Sequence, residues 1–238
     1  MPRFFVGSKQ ICGDSVLLED ADLNHLKVLR LRPEETFIVC DGVGTDHICR
    51  LDGGNARILE TRPSAGEPTV RVTLYAAYAK SDRVDHVVQK GVELGAVEMV
   101  LFPSARCVSR PGDPLRKLER WRRIALEAAK QSGRGIVPEI RAADTFKGAL
   151  EEASRAELPL FLYECACRLS LRAALLEHGE AETFSIVTGP EGGFDPDEVA
   201  LAQRMGLKSV TIGPRILRCE TAPLAALTAI LFNYKNFE

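Results

Sequence analysis

Two stretches of the chain concentrate residue types suited to gripping a small ligand at a group-transfer centre. The first, residues 184–195 (FSIVTGPEGGFD), is an apolar run that passes directly into a bend holding Thr188, Gly189, Pro190, Glu191, Gly192 and Gly193. Three glycines in five residues let backbone amides and carbonyls approach a ligand with no Cβ in the way. The second, residues 209–223 (SVTIGPRILRCETAP), repeats the plan, with an apolar run, a Gly-Pro bend at Gly213, and then Arg215, Ile216, Leu217, Arg218 and Glu220. Charged side chains beside isoleucine and leucine fit a pocket with an apolar floor and polar walls. The bland alternatives are two tight turns without a ligand, and an Arg218–Glu220 pair that serves only itself. Neither stretch is a P-loop, since no Gly-Lys-Ser/Thr follows, and neither carries Gly-x-Gly-x-x-Gly, which argues against ATP and NAD.

Such bends need rigid strands behind them and a helix after them. Asp195, Pro196 and Glu198 have the order of an N-cap, a first-turn proline and the N3 acid of a capping box, so a helix begins there. Upstream, buried-strand runs at 69–79, 96–104, 159–164, 184–189 and 209–213 alternate with helical patterns, the rhythm of a mostly parallel α/β sheet. Ser81 or Asp82 caps a helix with Val84, Val87, Val88, Gly91 and Val92 on one face, closed by Gly95. Residues 115–131 form a long helix rich in arginine and lysine. In such open sheets ligands sit at the carboxyl ends of the strands, where both bends would face one crevice.

The N-terminal part reads differently. Residues 35–60 are short alternating runs broken by turn signals at 41–44 and 52–55, a small β unit, preceded by an amphipathic helix over 22–32 that Pro33 stops. A linker composition at 62–68 (RPSAGEP) places a boundary there, giving domains 1–68 and 69–238.

The 238 residues, 45% hydrophobic and 27% charged, are enough for a large core without staples, which excludes a disordered chain. The longest nearly apolar run, 222–232, is too short to span a bilayer, so no membrane association is expected. The first residues lack the apolar core of an export signal, and a cytoplasmic location is expected. Seven cysteines without framework spacing read as reduced thiols, and four scattered histidines match no ligand spacing, so no metal is expected. The net charge of −2 hides a basic middle: residues 69–135 hold 13 basic and 7 acidic side chains. Such a patch suits a polyanion, or is a solvated helix face.

DRVDHVVQKGVELGA, FPSARCVSR, EAAKQSGRGIVPEI, VTGPEGGF and IGPRILRCETA, in this order along the chain and together with MPRFF and HLKVLRLRPEETFIVCDG near the start, resemble the bacterial small-subunit rRNA uridine-N3 methyltransferases, the RsmE family of the SPOUT class. The resemblance spans nearly the whole chain. It implies a PUA-like β-barrel domain followed by a SPOUT-type, mostly parallel sheet with a C-terminal trefoil knot over about 184–238, working as a homodimer on 16S rRNA in the small ribosomal subunit with S-adenosylmethionine as cofactor. Carried over by motif, the cofactor would be held by Tyr163, Glu164, Thr188, Gly189, Pro190, Glu191, Gly192, Gly193, Ile212, Gly213, Ile216, Leu217, Arg218, Thr221 and Ala222. The apolar floor would be Ile212, Ile216 and Leu217.

For methyl transfer to uracil N3 the protein must align the base and remove the N3 proton. Arg218 is the first candidate to stabilise the resulting anion, with Arg106 and Arg134 next, and Glu220 is the candidate base. Lys80, Arg83, Arg106, Arg110, Arg122, Arg123 and Arg134 are the candidate RNA contacts. A methyltransferase of the same class acting on tRNA, and a non-catalytic RNA-binding module, are the competing readings. Methyl-transfer assays and cofactor calorimetry separate them.

Overall fold

The computed structural model describes residues 1–32, 34–108, 112–164 and 169–237, so Pro33, Arg110, Cys165 and Cys167 lie outside the described residues. The chain divides into two units: Met1–Glu67 with Ala129–Val137, and Pro68–Ala128 with Pro138–Glu238.

In the first unit, β1 (Arg3–Phe5), β2 (Ile11–Cys12), β3 (Ser15–Val16), β4 (Thr36–Cys40), β5 (Thr45–Asp52) and β6 (Asn55–Pro63) form a sheet in the order β1-β4-β5-β6-β3-β2, with α1 (Asp20–Val28) between β3 and β4 in the chain. Only β1 and β4 run parallel. Hairpin turns fall at the two expected places, the first tied by Asp41 Oδ1, which accepts from the amides of Val43 and Thr45 at 2.9 Å. Between the Ile48–Glu60 and Cys49–Ile58 pairs Leu59 is an extra residue of β6, a bulge that bends that strand. The result is a curled, PUA-like half-barrel. Its inner face buries Phe4, Val16, Phe37, Val39, Cys49 and Ala56, covered by Leu26 of α1. That helix is shorter than the 22–32 pattern predicts at its C-terminal end, because Leu29 caps it and Arg30 turns to φ 53°.

Residues 129–137 belong to this unit, whereas the linear reading assigns them to the second domain. Glu67 draws them in: it accepts from Arg134 Nη2 at 2.6 Å and from the amides of Gly135 and Ile136 at 2.9 and 3.0 Å. The Arg134 carbonyl accepts in turn from Arg3, whose guanidinium grips Asp46 at 2.6 and 2.8 Å. Arg134 is 2% exposed, so it is not an RNA contact but a buried structural cation. Breaking a buried pair by removing one partner costs about 3 kcal/mol or more. Arg134→Met is therefore expected to lower the melting temperature by roughly 6 °C or more at ~2–4 °C per kcal/mol, read by scanning calorimetry.

In the second unit, β7 (Arg71–Ala77), α2 (Ser81–Leu94), β8 (Glu98–Phe102), α3 (Pro114–Ser132), β9 (Glu139–Ala142), α4 (Phe146–Ala153), β10 (Leu158–Leu162), α5 (Leu171–Glu177), β11 (Thr183–Thr188), α6 (Pro196–Arg204), β12 (Lys208–Val210) and α7 (Ala222–Asn233) alternate along the chain. The sheet order is β12-β10-β11-β7-β8-β9, and every neighbouring pair is parallel. The strands read as continuous apolar runs because helices cover both faces. Tyr75, Ala77, Val100, Phe102, Phe161 and Val187 meet α4 and α6 on one face, while α7 packs on α2, β7 and β11.

Val84, Val87, Val88 and Val92 are the buried stripe of α2, and Gly95 at φ 107° ends it in the left-handed cap that a side chain would strain. Its N-cap is Lys80, one residue before the expected Ser81 or Asp82. The predicted Asp195–Glu198 capping box is present on α6. Although β12 follows β11, it pairs outside it, beside β10, and the chain then returns to α7 against α2 and β7. That return is the crossing a threaded C-terminal segment requires.

Candidate active site

The carboxyl ends of β10, β11 and β12 lie side by side, so the loops that follow them share walls. A cavity of about 430 Å³ is lined by Leu162 and Glu164 after β10, Thr188, Gly189, Pro190, Glu191, Gly193 and Phe194 after β11, Ile216, Leu217, Arg218, Cys219 and Ala222 after β12, and Arg83 from α2. A second lobe of about 100 Å³ shares Leu162, Glu164, Ile216, Leu217 and Ala222 and adds Tyr163, Ile212, Gly213, Pro214 and Arg215. Together they have the size of a small-molecule site.

The β11 loop is fixed from below. Thr188 is buried and its hydroxyl donates to the Tyr75 carbonyl at 3.3 Å. The loop then closes with the Gly193 amide on the Pro190 carbonyl at 3.0 Å. Phe194 packs at 4.2 Å from the Phe161 ring, measured between centroids. Glu198, read from sequence only as a capping acid, does more: it accepts from the Asp195 amide at 3.0 Å, the Ser104 hydroxyl at 3.0 Å and the Ala105 amide at 2.8 Å. It thus staples the loop after β8 to the loop after β11. That loop carries Arg106, whose guanidinium sits 3.2 Å from Asp195 and whose backbone carbonyl would be 3.1 Å from any Cβ at Gly192. Gly192 is accordingly a close-approach glycine facing Arg106, not a wall of the cavity.

The β12 loop is held by Thr211, whose hydroxyl accepts from the Gly213 amide at 3.2 Å, and by the Arg218 carbonyl, which accepts from the amides of Thr221 and Ala222 at 2.9 Å. Thr221 is the exposed N-cap of α7 and does not line the cavity. The three expected apolar residues all line the cavity: Leu217 and the 83%-exposed Ile216 line both lobes and Ile212 the smaller one, and Leu162, Phe194 and Ala222 add further apolar lining.

Charge is concentrated on one wall. Arg83 Nη1 lies 3.3 Å from Glu191, its Nε 3.9 Å from Glu220, and its Nη1 3.7 Å from Cys219 Sγ. The Lys80 amide donates to Glu191 Oε1 at 3.0 Å, and Glu191 Oε2 is buried with no hydrogen-bond donor among the described residues. Burial raises the Glu220 carboxyl, but its own amide, the Cys219 thiol, Arg83 and Arg218 together hold it below the usual range. The Cys219 thiol, which donates to Glu220 at 3.3 Å, is pushed up to about 11, chiefly by burial, and stays protonated at neutral pH. Glu220, the base expected from sequence, does not line the 430 Å³ cavity, and the neighbouring cations favour the charged form of its carboxylate. Arg218, by contrast, lines that cavity with its side chain 79% exposed and Glu220 4.0 Å away.

The candidate RNA contacts separate into groups. Arg83 belongs to the cavity wall. Lys80 and Arg106 are exposed beside the β11 loop, and Arg122 is exposed with its Nε donating to the Ile140 carbonyl at 3.1 Å. Arg123 lines an open groove of about 810 Å³ on α3 with Arg116, Lys117 and Arg120. Arg110 lies outside the described residues. Trp121 is buried, stacked on Tyr78 at 6.3 Å with its indole donating to Asp85, so it is core. No cluster of metal-ligating side chains occurs among the described residues, and no described helix is long and apolar enough to cross a membrane.

The RNA methyltransferase domain profile matches residues 66–231, and the RNA methyltransferase PUA domain profile matches residues 18–60. The chain is 34% identical over 231 residues to ribosomal RNA small subunit methyltransferase E of Mesomycoplasma hyopneumoniae, covering 96% of this chain and 98% of that protein. It is 36% identical to the Synechocystis protein of the same name, covering 96% and 76%. The crystal structure of a Neisseria gonorrhoeae ribosomal RNA small subunit methyltransferase E bound to S-adenosyl methionine superposes with a TM-score of 0.80 at 33% identity, covering 97% and 96%.

Proposed function

The chain belongs to the small-subunit ribosomal RNA methyltransferase E family, and from that premise we propose that it methylates N3 of one uridine in 16S rRNA with S-adenosylmethionine as donor. The observation that carries the reading is the single cavity walled by both Gly-Pro loops. Its donor set suits the cofactor. Glu164 and Glu191 line the cavity, and their carboxylates would accept from a ligand rich in ammonium and hydroxyl donors, while Leu162, Leu217 and Ala222 offer an apolar seat for adenine. When bound, the cofactor supplies an activated methyl group on a sulfonium.

The protein's part is position and charge. Holding uracil N3 in line contributes much of the barrier reduction, up to ~7 to 11 kcal/mol in favourable systems. Loss of the N3 proton leaves negative charge on the flanking carbonyl oxygens, and Arg218, exposed on the cavity wall, is the cation for them. A base inside a ribosomal RNA helix must be extruded to reach such a cavity.

Lys80, Arg106, Arg122 and the α3 groove with Arg123 are the proposed phosphate contacts, with the PUA-like unit as a further RNA surface. Arg123→Ala is expected to reduce the salt slope of RNA binding by about one, measured by titration between low and physiological salt. An unchanged slope would leave Arg123 a solvated residue. A homodimer in the cytoplasm completes the reading: α7 leaves Phe232 73% exposed, an apolar side chain a second protomer would cover, and sedimentation gives the mass.

The direct test is calorimetry with S-adenosylmethionine, followed by methyl transfer to small subunits, free 16S rRNA and tRNA. N3 lies on the pairing edge of uracil, so its methylation stops reverse transcription. One new stop in 16S rRNA is expected, and its absence, or methylation of tRNA instead, overturns the assignment.

A further inference from the structure

Arg83 sits in the first turn of α2, outside both loops that wall the cavity, yet it reaches both. Its Nη1 is 3.3 Å from Glu191 in the β11 loop, and its Nε is 3.9 Å from Glu220 in the β12 loop. Cys219, the neighbour of Glu220, accepts from Nη1 at 3.7 Å, and the Lys80 amide from the same helix end seats Glu191 at 3.0 Å. All three charged side chains are mostly buried, with 28%, 15% and 17% of Arg83, Glu191 and Glu220 exposed.

We propose that Arg83 is a positioning residue that clasps the β11 and β12 loops together and so sets the width of the cofactor cavity. The inference rests on the cofactor reading given above. Two carboxylates on separate loops face one guanidinium. Without it they are left as two half-buried like charges, which repel each other and each seek water. The cheapest escape is for the loops to part. Because different nitrogens of one planar group address the two loops, a lysine, with a single compact ammonium, cannot serve both at once. Arg83 also lines the cavity, so its action through Glu191 and Glu220 is read from loop exchange without cofactor, which the loss of a wall contact alone does not move.

The test uses the full chain. Amide hydrogen exchange without cofactor is compared for wild type, Arg83→Met and Arg83→Lys. Faster exchange is expected in both 189–194 and 212–222 of Arg83→Met, with β7 unchanged, and partial loosening in Arg83→Lys. Calorimetry is expected to give an S-adenosylmethionine Kd raised about 30-fold in Arg83→Met and about 10-fold in Arg83→Lys. Adding Glu220→Gln to Arg83→Met is expected to recover part of the loss, because one of the two repelling charges is gone. If Arg83→Met does not fold, Arg83→Lys alone decides. Exchange that rises in neither loop or in only one, or a Kd within threefold of wild type, overturns the clasp. A wild-type protein that does not bind the cofactor overturns the functional reading instead, and the exchange comparison still stands without it.

Discussion

Arg218→Ala is expected to lower kcat by about 100- to 1,000-fold, while the S-adenosylmethionine Kd and the melting temperature stay close to wild type. The magnitude is that of removing one preorganised donor from a developing oxyanion. The selectivity follows from where Arg218 stands. Its side chain is 79% exposed and its nearest carboxylate, Glu220, is 4.0 Å away, so the fold gains little from it and loses little without it. Its backbone carbonyl does hold the start of α7 through Thr221 and Ala222, but alanine keeps that carbonyl. Arg218→Lys should recover part of the rate, since a cation remains, but not all, because one ammonium does not match two oxygens as a guanidinium does. Single-turnover kinetics with saturating cofactor give the rate and calorimetry gives the Kd. Equal losses in both would make Arg218 a wall of the pocket and nothing more.

The same arginine illustrates how far a sequence can be read. The two Gly-Pro loops were legible because the signals are local: apolar run, glycine bend, capping box. The interior strands β7, β8, β10 and β11 were legible because burial on both faces writes an unbroken apolar run. β9 was not. It is a four-residue edge strand in which only Ile140 is deeply buried, and no run of that length stands out. Neither was the return of residues 129–137 to the first unit, since Glu67 and Arg134 are 67 positions apart and nothing in the local pattern pairs them.

Charge was the least legible property. A tally of basic residues cannot tell Arg134, buried on Glu67, from Arg123, exposed in a groove, or from Arg83, whose place at the end of α2 puts it on the cavity wall. Glu220 reads as a base from sequence because it is the carboxylate nearest the cofactor loop along the chain. In three dimensions Glu220 serves Arg83 and Cys219. Glu198 carried a correct local reading that hid its longer reach to Ser104 and Ala105.

Gly189→Val is expected to abolish measurable cofactor binding, a loss of at least about 100-fold in affinity, while leaving the chain folded but less stable. A Cβ at position 189 would stand 3.1 to 3.4 Å from three atoms of the Phe194 ring. Real Cβ contacts are seldom that short, so the ring must yield, and it has little room. Phe194 packs 4.2 Å from Phe161 and 5.9 Å from Phe146, centroid to centroid, within the core shared by α4 and α6. Overpacking of this kind costs ~1–3 kcal/mol, and displacement of the β11 loop relieves it more cheaply than displacement of three aromatic rings. Moving that loop shifts Pro190, Glu191 and Gly193, which with Gly189 form one side of the cavity. The two methyl groups of valine add bulk at the same place. Gly189→Ala, with one methyl, is expected to weaken binding by only about tenfold, because a shift of a few tenths of an ångström accommodates it. Adding Phe194→Leu to Gly189→Val removes the obstructing ring and should recover part of the affinity, which a simple loss of folding would not allow. Calorimetry on the three variants, with melting curves beside it, distinguishes a blocked cavity from an unfolded one. Wild-type affinity in Gly189→Val would mean that the cofactor lies elsewhere than against this bend.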